Sequence, residues 1–424
     1  MRPILPALLL LLLSLTPARG DSEAIAAPPA VLGLGEATLL ALELAPQIEA
    51  IRGLRFKRVV PVEIVDDATA RAHFDARVAK YWPENRLRDE QTVYAGLGIL
   101  PEGTDLLALL FDVLEEQAGG YYDPHSGTLY LLDDMPVSTA PILMAHELTH
   151  ALDDQHFQID TLLDGAGGGN DREAAVGALI EGSGMIVMMS FVLDATRSGR
   201  LPASAIIDLQ ESEAGQAAKL TAAPQYVQRS VVGPYILGQQ FLLQSDVAAL
   251  TSGIRPQDLD RAFADPPAST EQILHPEKYW DRAQRDDPRD LDLPDFSSRL
   301  GKGWSLQSSG VLGELIIAIV AGAGPIDPLS TATDHYTNEA ATGWGGDRWQ
   351  LYTKGDRSVI LLATLWDTDG DAGEFEASLP DLPGRLIERR GDAVIVIAGL
   401  EEKDAARLAA RALEATAPAH GEAD

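Results

Sequence analysis

The chain has 424 residues, no cysteine, and 64 Asp and Glu against 33 Lys and Arg, a formal net charge of −31. At about 150 residues per domain this predicts two or three domains, with a core large enough to fold without staples. The charge, with no basic cluster to offset it, argues against nucleic acid and anionic lipid as partners. The missing thiols exclude disulfides, thiol nucleophiles and thiolate metal sites, leaving His and carboxylates as possible ligands.

Residues 1–20, "MRPILPALLLLLLSLTPARG", have a basic start, an apolar run and a small-residue end, the three-part pattern of a signal peptide. A retained anchor is the alternative, although the run is shorter than the roughly 20 residues that span a bilayer. Residues 21–35 read as a leader. The expectation is an exported protein, periplasmic or extracellular, with no stable membrane insertion after cleavage.

Residues 36–165 predict a mixed α+β lobe. Helical signal starts at Glu36, "GLRFKRVVPVEIVDD" (53–67) reads as a strand, and helical stretches follow around 67–82 and 103–117. "AGGYYDPHSGTLYLLDD" (118–134) reads as a β-hairpin turning at "DPHSG". A helix over about 140–157 has Ser138 and Thr139 as candidate caps and Pro141 in its first turn, where a missing N–H costs nothing.

Residues 166–295 predict a mostly helical lobe. "DGAGGGND" (164–171) breaks the chain, a helix runs to about 195, and further helices lie near 203–219 and 224–250. The apolar runs at 179–193 and 309–324 each contain a glutamate and are short, so they read as buried helices. The Pro- and Asp-rich stretch 286–304 reads as a linker. Residues 296–424 then predict a small α+β domain packed behind the first: one apolar helix, a hairpin turning at "KGDR", a helix near 370–379, strands at 385–390 and 393–400, and a helix at 402–415. The fold class expected is α+β.

The chemistry concentrates in "PILMAHELTHALDDQHFQID" (141–160). On a helix His146 and His150 lie roughly 40° apart and can converge on one ion, with Glu147 about 100° round from His146. By residue frequencies, His-Glu-x-x-His is expected by chance on the order of 0.01 times in this chain. A buried core helix with three hydrogen-bonded polar residues is the competing reading, and a costly one. Catalytic zinc needs a third protein ligand and an open position. Glu181 in "ALIEGSG" is the best candidate, being mid-helix among apolar residues; Asp153, Asp154, Asp171 and Glu173 compete, and caps or solvated faces explain them.

His146-Glu147-x-x-His150 with a downstream Glu181 resembles the zincin metallopeptidases in the gluzincin arrangement, over residues 53–280. The longer wording "AHELTHALDDQHF", "ALIEGSG", "STEQILHPEKY" and "GWGGDRWQLY" is similar to a group of bacterial secreted zincin-like proteins. The resemblance implies an α+β upper lobe above a helical lower lobe, one Zn2+ per chain and a peptide or protein substrate. It implies an edge strand that holds the substrate backbone, for which "TLYLLDD" (128–134) is in the right place. Glu147 would be general base and acid, and a distal His275 or Tyr235 would face the oxyanion. One departure is Met185, which stands where many gluzincins carry an aspartate supporting a histidine; Asp153, Asp154 or Asp171 could take that part. The rival expectation is a non-catalytic zincin scaffold, a secreted binding or assembly protein.

Two other signals carry less. "WDTDGDAGEF" (366–375) has calcium-loop spacing, but Ser378 stands where a closing glutamate belongs, so a helix-capping turn is the expectation. "GWGGDRWQLY" (343–352) reads as a core-anchoring turn before a strand. Serine-hydrolase elbows and nucleotide fingerprints are absent from the sequence.

Overall fold

The computed structural model describes residues 30–416 apart from 82–83, 110–118, 166–169, 245–247, 327–329, 331 and 381. The expected signal peptide and most of the leader lie outside the described residues, as do residues 110–117 of the helix expected at 103–117.

The N-terminal half is a small mixed sheet enclosed by helices. α1 (Leu34–Arg52) is followed by β1 (Val62–Val65), α2 (Asp67–Tyr81), α3 (Glu84–Leu97), β2 (Gly120–Asp123), β3 (Thr128–Leu132) and α4 (Ala140–Phe157). β1 pairs parallel and β2 antiparallel with β3, giving the order β1-β3-β2. All five residues of β3 are buried, as a strand covered on both faces should be. Here the expectation needs correction: β3 is the central strand, and β1 and β2 are the edges. The strand expected over 53–67 is also shorter, because Gln155 of α4 accepts the backbone N–H of Lys57 and Arg58 and holds that stretch as a loop. α3 escaped the sequence reading because its mean character is polar, yet Leu87, Glu90, Val93, Tyr94 and Leu97 line one buried face.

α5 (Ile159–Gly165), α6 (Asn170–Arg197), α7 (Ala203–Ala222) and α8 (Gln225–Leu243) form the helical part, with α9 (Thr270–Leu274) among short helices after it. α6 is long and apolar enough to cross a membrane by composition, but 89% of its most apolar window is buried inside the protein. α6 and α8 cross at glycines: a Cβ on Gly238 would sit 1.8 Å from the Ala178 carbonyl oxygen, and one on Gly182 would sit 2.3 Å from the Gly238 backbone. Buried Arg52 ties α1 into this core, donating to Asp153 at 2.8 Å and to Asp260 at 2.7 Å.

The C-terminal part is a five-stranded antiparallel sheet, order β4-β5-β6-β8-β7, built from β4 (Ser305–Gly310), β5 (Trp344–Lys354), β6 (Arg357–Trp366), β7 (Arg385–Arg390) and β8 (Ala393–Ala398). α10 (Gly313–Val320), α11 (Asp369–Ser378) and α12 (Glu402–Ala415) accompany it. The ββαββα run matches expectation element by element, but β4, "SLQSSG", is an additional strand whose exposed polar side chains hid it. The acidic 366–375 turn is a helix cap: Thr368 accepts from Asp371 N, and Asp371 accepts from Thr368 N.

Alternation along the strands covers both faces of this sheet. Tyr352, Leu361, Ile395 and Ile397 pack with α12, while Trp349, Ile360, Leu362, Val394 and Val396 join the core of the helical part. The expected division at 296 is therefore not a gap in packing. α10 lies against α6, α8 and α9, and the 286–304 stretch buries Leu291, Leu293 and Phe296 under the sheet where a loose linker was expected. The physical reason is the second apolar face: a sheet with one face already covered by α12 needs another partner. The protein is thus a mixed α+β fold.

Candidate metal centre

α4 carries His146, Glu147 and His150 inward. They are 0%, 2% and 8% exposed, so the whole motif sits inside the protein. One ligand atom from each lies within 4.8 Å of the others. Glu181, from α6, approaches closer still. Its Oε2 is 3.2 Å from His146 Nε2 and 3.4 Å from His150 Nε2, and the two Nε2 atoms are 2.9 Å apart.

Three atoms at these separations can be tested against a tetrahedral ion. Zinc at about 2.1 Å from nitrogen and oxygen ligands separates them by about 3.4 Å. A point about 2.1 Å from all three atoms exists roughly 1 Å off their plane, so the donor set, two imidazoles and a carboxylate, fits three legs of a zinc tetrahedron.

The segment "EGSG" (181–184) builds the α6 side residue by residue. Glu181 supplies the carboxylate, and Gly182 lets the α8 backbone come close. Ser183 donates its hydroxyl to Asp153 at 2.6 Å, which pins α6 to α4 beside the ligands. Gly184 faces the His146 ring, where a Cβ would lie 2.6 Å from Cε1 and 3.0 Å from Nε2. The Tyr235 ring also stacks on His146 at a centroid distance of 6.0 Å. Packing orients the imidazole: Nδ1 of His146 and of His150 are buried without a hydrogen bond. The carboxylate–histidine support usual around zinc is therefore missing among the described residues, in line with Met185 at the position noted above.

The four competing carboxylates have other partners. Asp153 holds Arg52 and Ser183; Asp154 accepts from the Tyr122 hydroxyl at 2.8 Å and from Ile159 N. Asp171 accepts from the Thr270 N–H and hydroxyl, and Glu173 pairs with Arg86 at 2.6 Å. None of them faces the two Nε2 atoms. His275 is placed elsewhere too, which corrects its expected role. Its Nε2 meets Glu314 Oε1 at 2.9 Å, at the contact between α9 and α10, and it is not among the described residues lining the cleft. Tyr235 does reach the site, but as a wall against the back of His146, 1% exposed, and not as a lining residue of the cleft.

Electrostatics separate the two glutamates. Burial pushes the Glu147 carboxyl up to about 7, with the Glu181 charge adding to it and His146 opposing. Burial also opposes the Glu181 charge, but the His150 and His146 imidazoles outweigh it and hold this carboxyl well below the usual range. Glu147 Oε2 accepts the Tyr122 backbone N–H at 2.7 Å, while its Oε1 is buried with no partner. The cleft in front of these groups measures about 30 Å³ and is lined by Arg77, Tyr122, Pro124, Ile159, Leu163 and Ile180 besides Glu147, His150 and Glu181. Arg77, Tyr122, Ser183 and Gly184 are the site residues that sequence reasoning missed. "EGSG" was visible, but only the facing helix explains its glycines.

Residues 305–417 match the family model described as "Domain of unknown function (DUF8575)". That match covers the C-terminal sheet and leaves out the His146 helix. No curated protein and no solved structure matches the chain.

Proposed function

We propose that the chain is an exported, zinc-dependent hydrolase of the zincin type that cleaves peptide bonds. The observation that carries the reading is the triangle of His146 Nε2, His150 Nε2 and Glu181 Oε2, with sides of 2.9, 3.2 and 3.4 Å, beside the unsatisfied Glu147 Oε1. The two histidines and Glu181 would hold the zinc, which when bound polarises a carbonyl and acidifies water.

Glu147 is the general base and acid. Tyr122 N–H holds its Oε2, so Oε1 is the oxygen that removes a proton from the attacking water and returns it to the leaving nitrogen. Arg77 brings a cation to the same cleft, where negative charge develops on the carbonyl oxygen. β2, the edge strand whose Tyr122 lines the cleft, is the strand on which an extended peptide would lie.

A non-catalytic zincin scaffold is the second reading, and one observation favours it. At about 30 Å³ the cleft has room for roughly one water molecule and not for a peptide. One experiment separates the two: zinc stoichiometry followed by cleavage of an unstructured protein such as casein by wild type and Glu147→Gln. The hydrolase reading expects one zinc per chain in both and a rate lower by about 10²–10⁴ in the variant. One zinc with equal, negligible cleavage favours the scaffold; no bound zinc in either sinks both.

A further inference from the structure

A second cavity, of about 250 Å³, opens behind the metal cleft. Its wall is mostly apolar, with Leu87, Leu237, Ile273 and Ile316 among its side chains, while Ala174 and Gly177 of α6 leave the space open; the charged groups on it include Arg86, paired with Glu90 and Glu173, and Arg229. It is larger than the roughly 150 Å³ apolar cavity that accepts a benzene ring, so a single aromatic side chain does not fill it. Counted at about 30 Å³ per water-sized unit, it holds a chain of roughly eight methylenes.

The chamber borders the proposed site. Arg77 and Leu163 line both the chamber and the metal cleft, and Phe74 and Arg77 line both the chamber and an outer basin of about 260 Å³. The basin, over β2, carries polar groups including His73, Lys80, Asp123 and Asp160. Arg77 thus borders three spaces: the outer basin, the cleft with Glu147, and the chamber.

We infer that the chamber is a binding site for an aliphatic acyl chain of about eight to ten carbons, carried by a molecule whose polar body lies in the outer basin. Chain binding follows from the chamber alone. Only the statement that such a molecule is the hydrolase's substrate rests on the zinc reading.

The test is displacement of a fluorescent apolar dye from the full chain by hexanoate, octanoate and decanoate, with zinc and again in EDTA. One saturable site per chain is expected, with affinity rising about fourfold per methylene. In Ala174→Phe and Ile316→Trp, each of which takes up part of the chamber, affinity falls at least tenfold while the melting temperature holds or rises. Persistence of binding in EDTA keeps the chain site distinct from any failure of the zinc reading. A decanoylated peptide binding more tightly than decanoate assigns the chain to an acylated peptide, and decanoate binding alone assigns it to a free lipid. No saturable displacement, or equal affinity in wild type and both variants, overturns the inference.

Discussion

Gly184 gives the sharpest test of the metal geometry. In Gly184→Ala the new Cβ would lie 2.6, 2.8 and 3.0 Å from His146 Cε1, Nδ1 and Nε2. Ordinary carbon contacts need about 3.5–4.0 Å, so the ring has to retreat by roughly 1 Å. His146 Nε2 then leaves its place 2.9 Å from His150 Nε2 and 3.2 Å from Glu181 Oε2. Real sites keep ligand distances within about 0.2 Å, so one of three ligands is lost. Zinc affinity should fall by more than about 100-fold, beyond the 10–100-fold that outer-shell partners are worth. Stability should change far less. Overpacking costs about 1–3 kcal/mol, and replacing a helical glycine by alanine restores about 1 kcal/mol. Competition with a chromophoric chelator reads the affinity, and urea unfolding of the metal-free protein reads the stability. Gly373→Ala is the control, because its Cβ would meet nothing within 4 Å. A folded Gly184→Ala that binds zinc as tightly as wild type would refute the triangle as a metal site.

Removing Asp153 should act on the fold. Arg52 and Asp153 are both 0% exposed, and Asp153→Ala leaves a buried guanidinium with Asp260 alone, for an expected loss of about 3–5 kcal/mol in the urea-derived stability; a loss under about 1 kcal/mol would contradict the clamp. A pH effect is expected where the sheet meets the helices. Burial, reinforced by Asp347 and Glu314, raises the Asp171 carboxyl to about 7 against the opposing Thr270 bonds. The native state therefore keeps a proton that the unfolded chain releases near pH 4. That stabilisation is complete below about pH 4 and is lost as pH rises through about 7. Asp171→Asn should flatten the decline in melting temperature between pH 5 and 8, and an unchanged slope would show that Asp171 is not its source.

Local sequence was enough for much of the fold. Strong periodicity placed α4, α7, α12 and the β5–β6 hairpin close to their observed ends, while the helix expected over 224–250 ends at Leu243. Where local signal was weak or misleading, partners decided. β4 is polar and exists because it hydrogen-bonds to β5. Residues 55–58 are held as a loop by Gln155. The stretch 286–304 reads as a linker by composition, yet lies in the second core because Leu291, Leu293 and Phe296 find the sheet.

The candidate site divides along the same line. A histidine pair four residues apart on one helix, with a glutamate between, is a property of helical periodicity, and the cost of an unpaired buried carboxylate already singled out Glu181. Which carboxylate faces the imidazoles depends on how two helices pack, His146 and Glu181 being 35 residues apart in sequence, and no local rule answers it. Packing of α4 on α6 brought Glu181 to the Nε2 atoms, turned Asp153 to Arg52 and Ser183, and carried His275 away to Glu314. Sequence determined the chemistry available, because residue type and helical phase are local. The tertiary structure alone decided which groups converge, because distances of 3 Å between segments are set by close packing, and here by glycines at 182, 184 and 238.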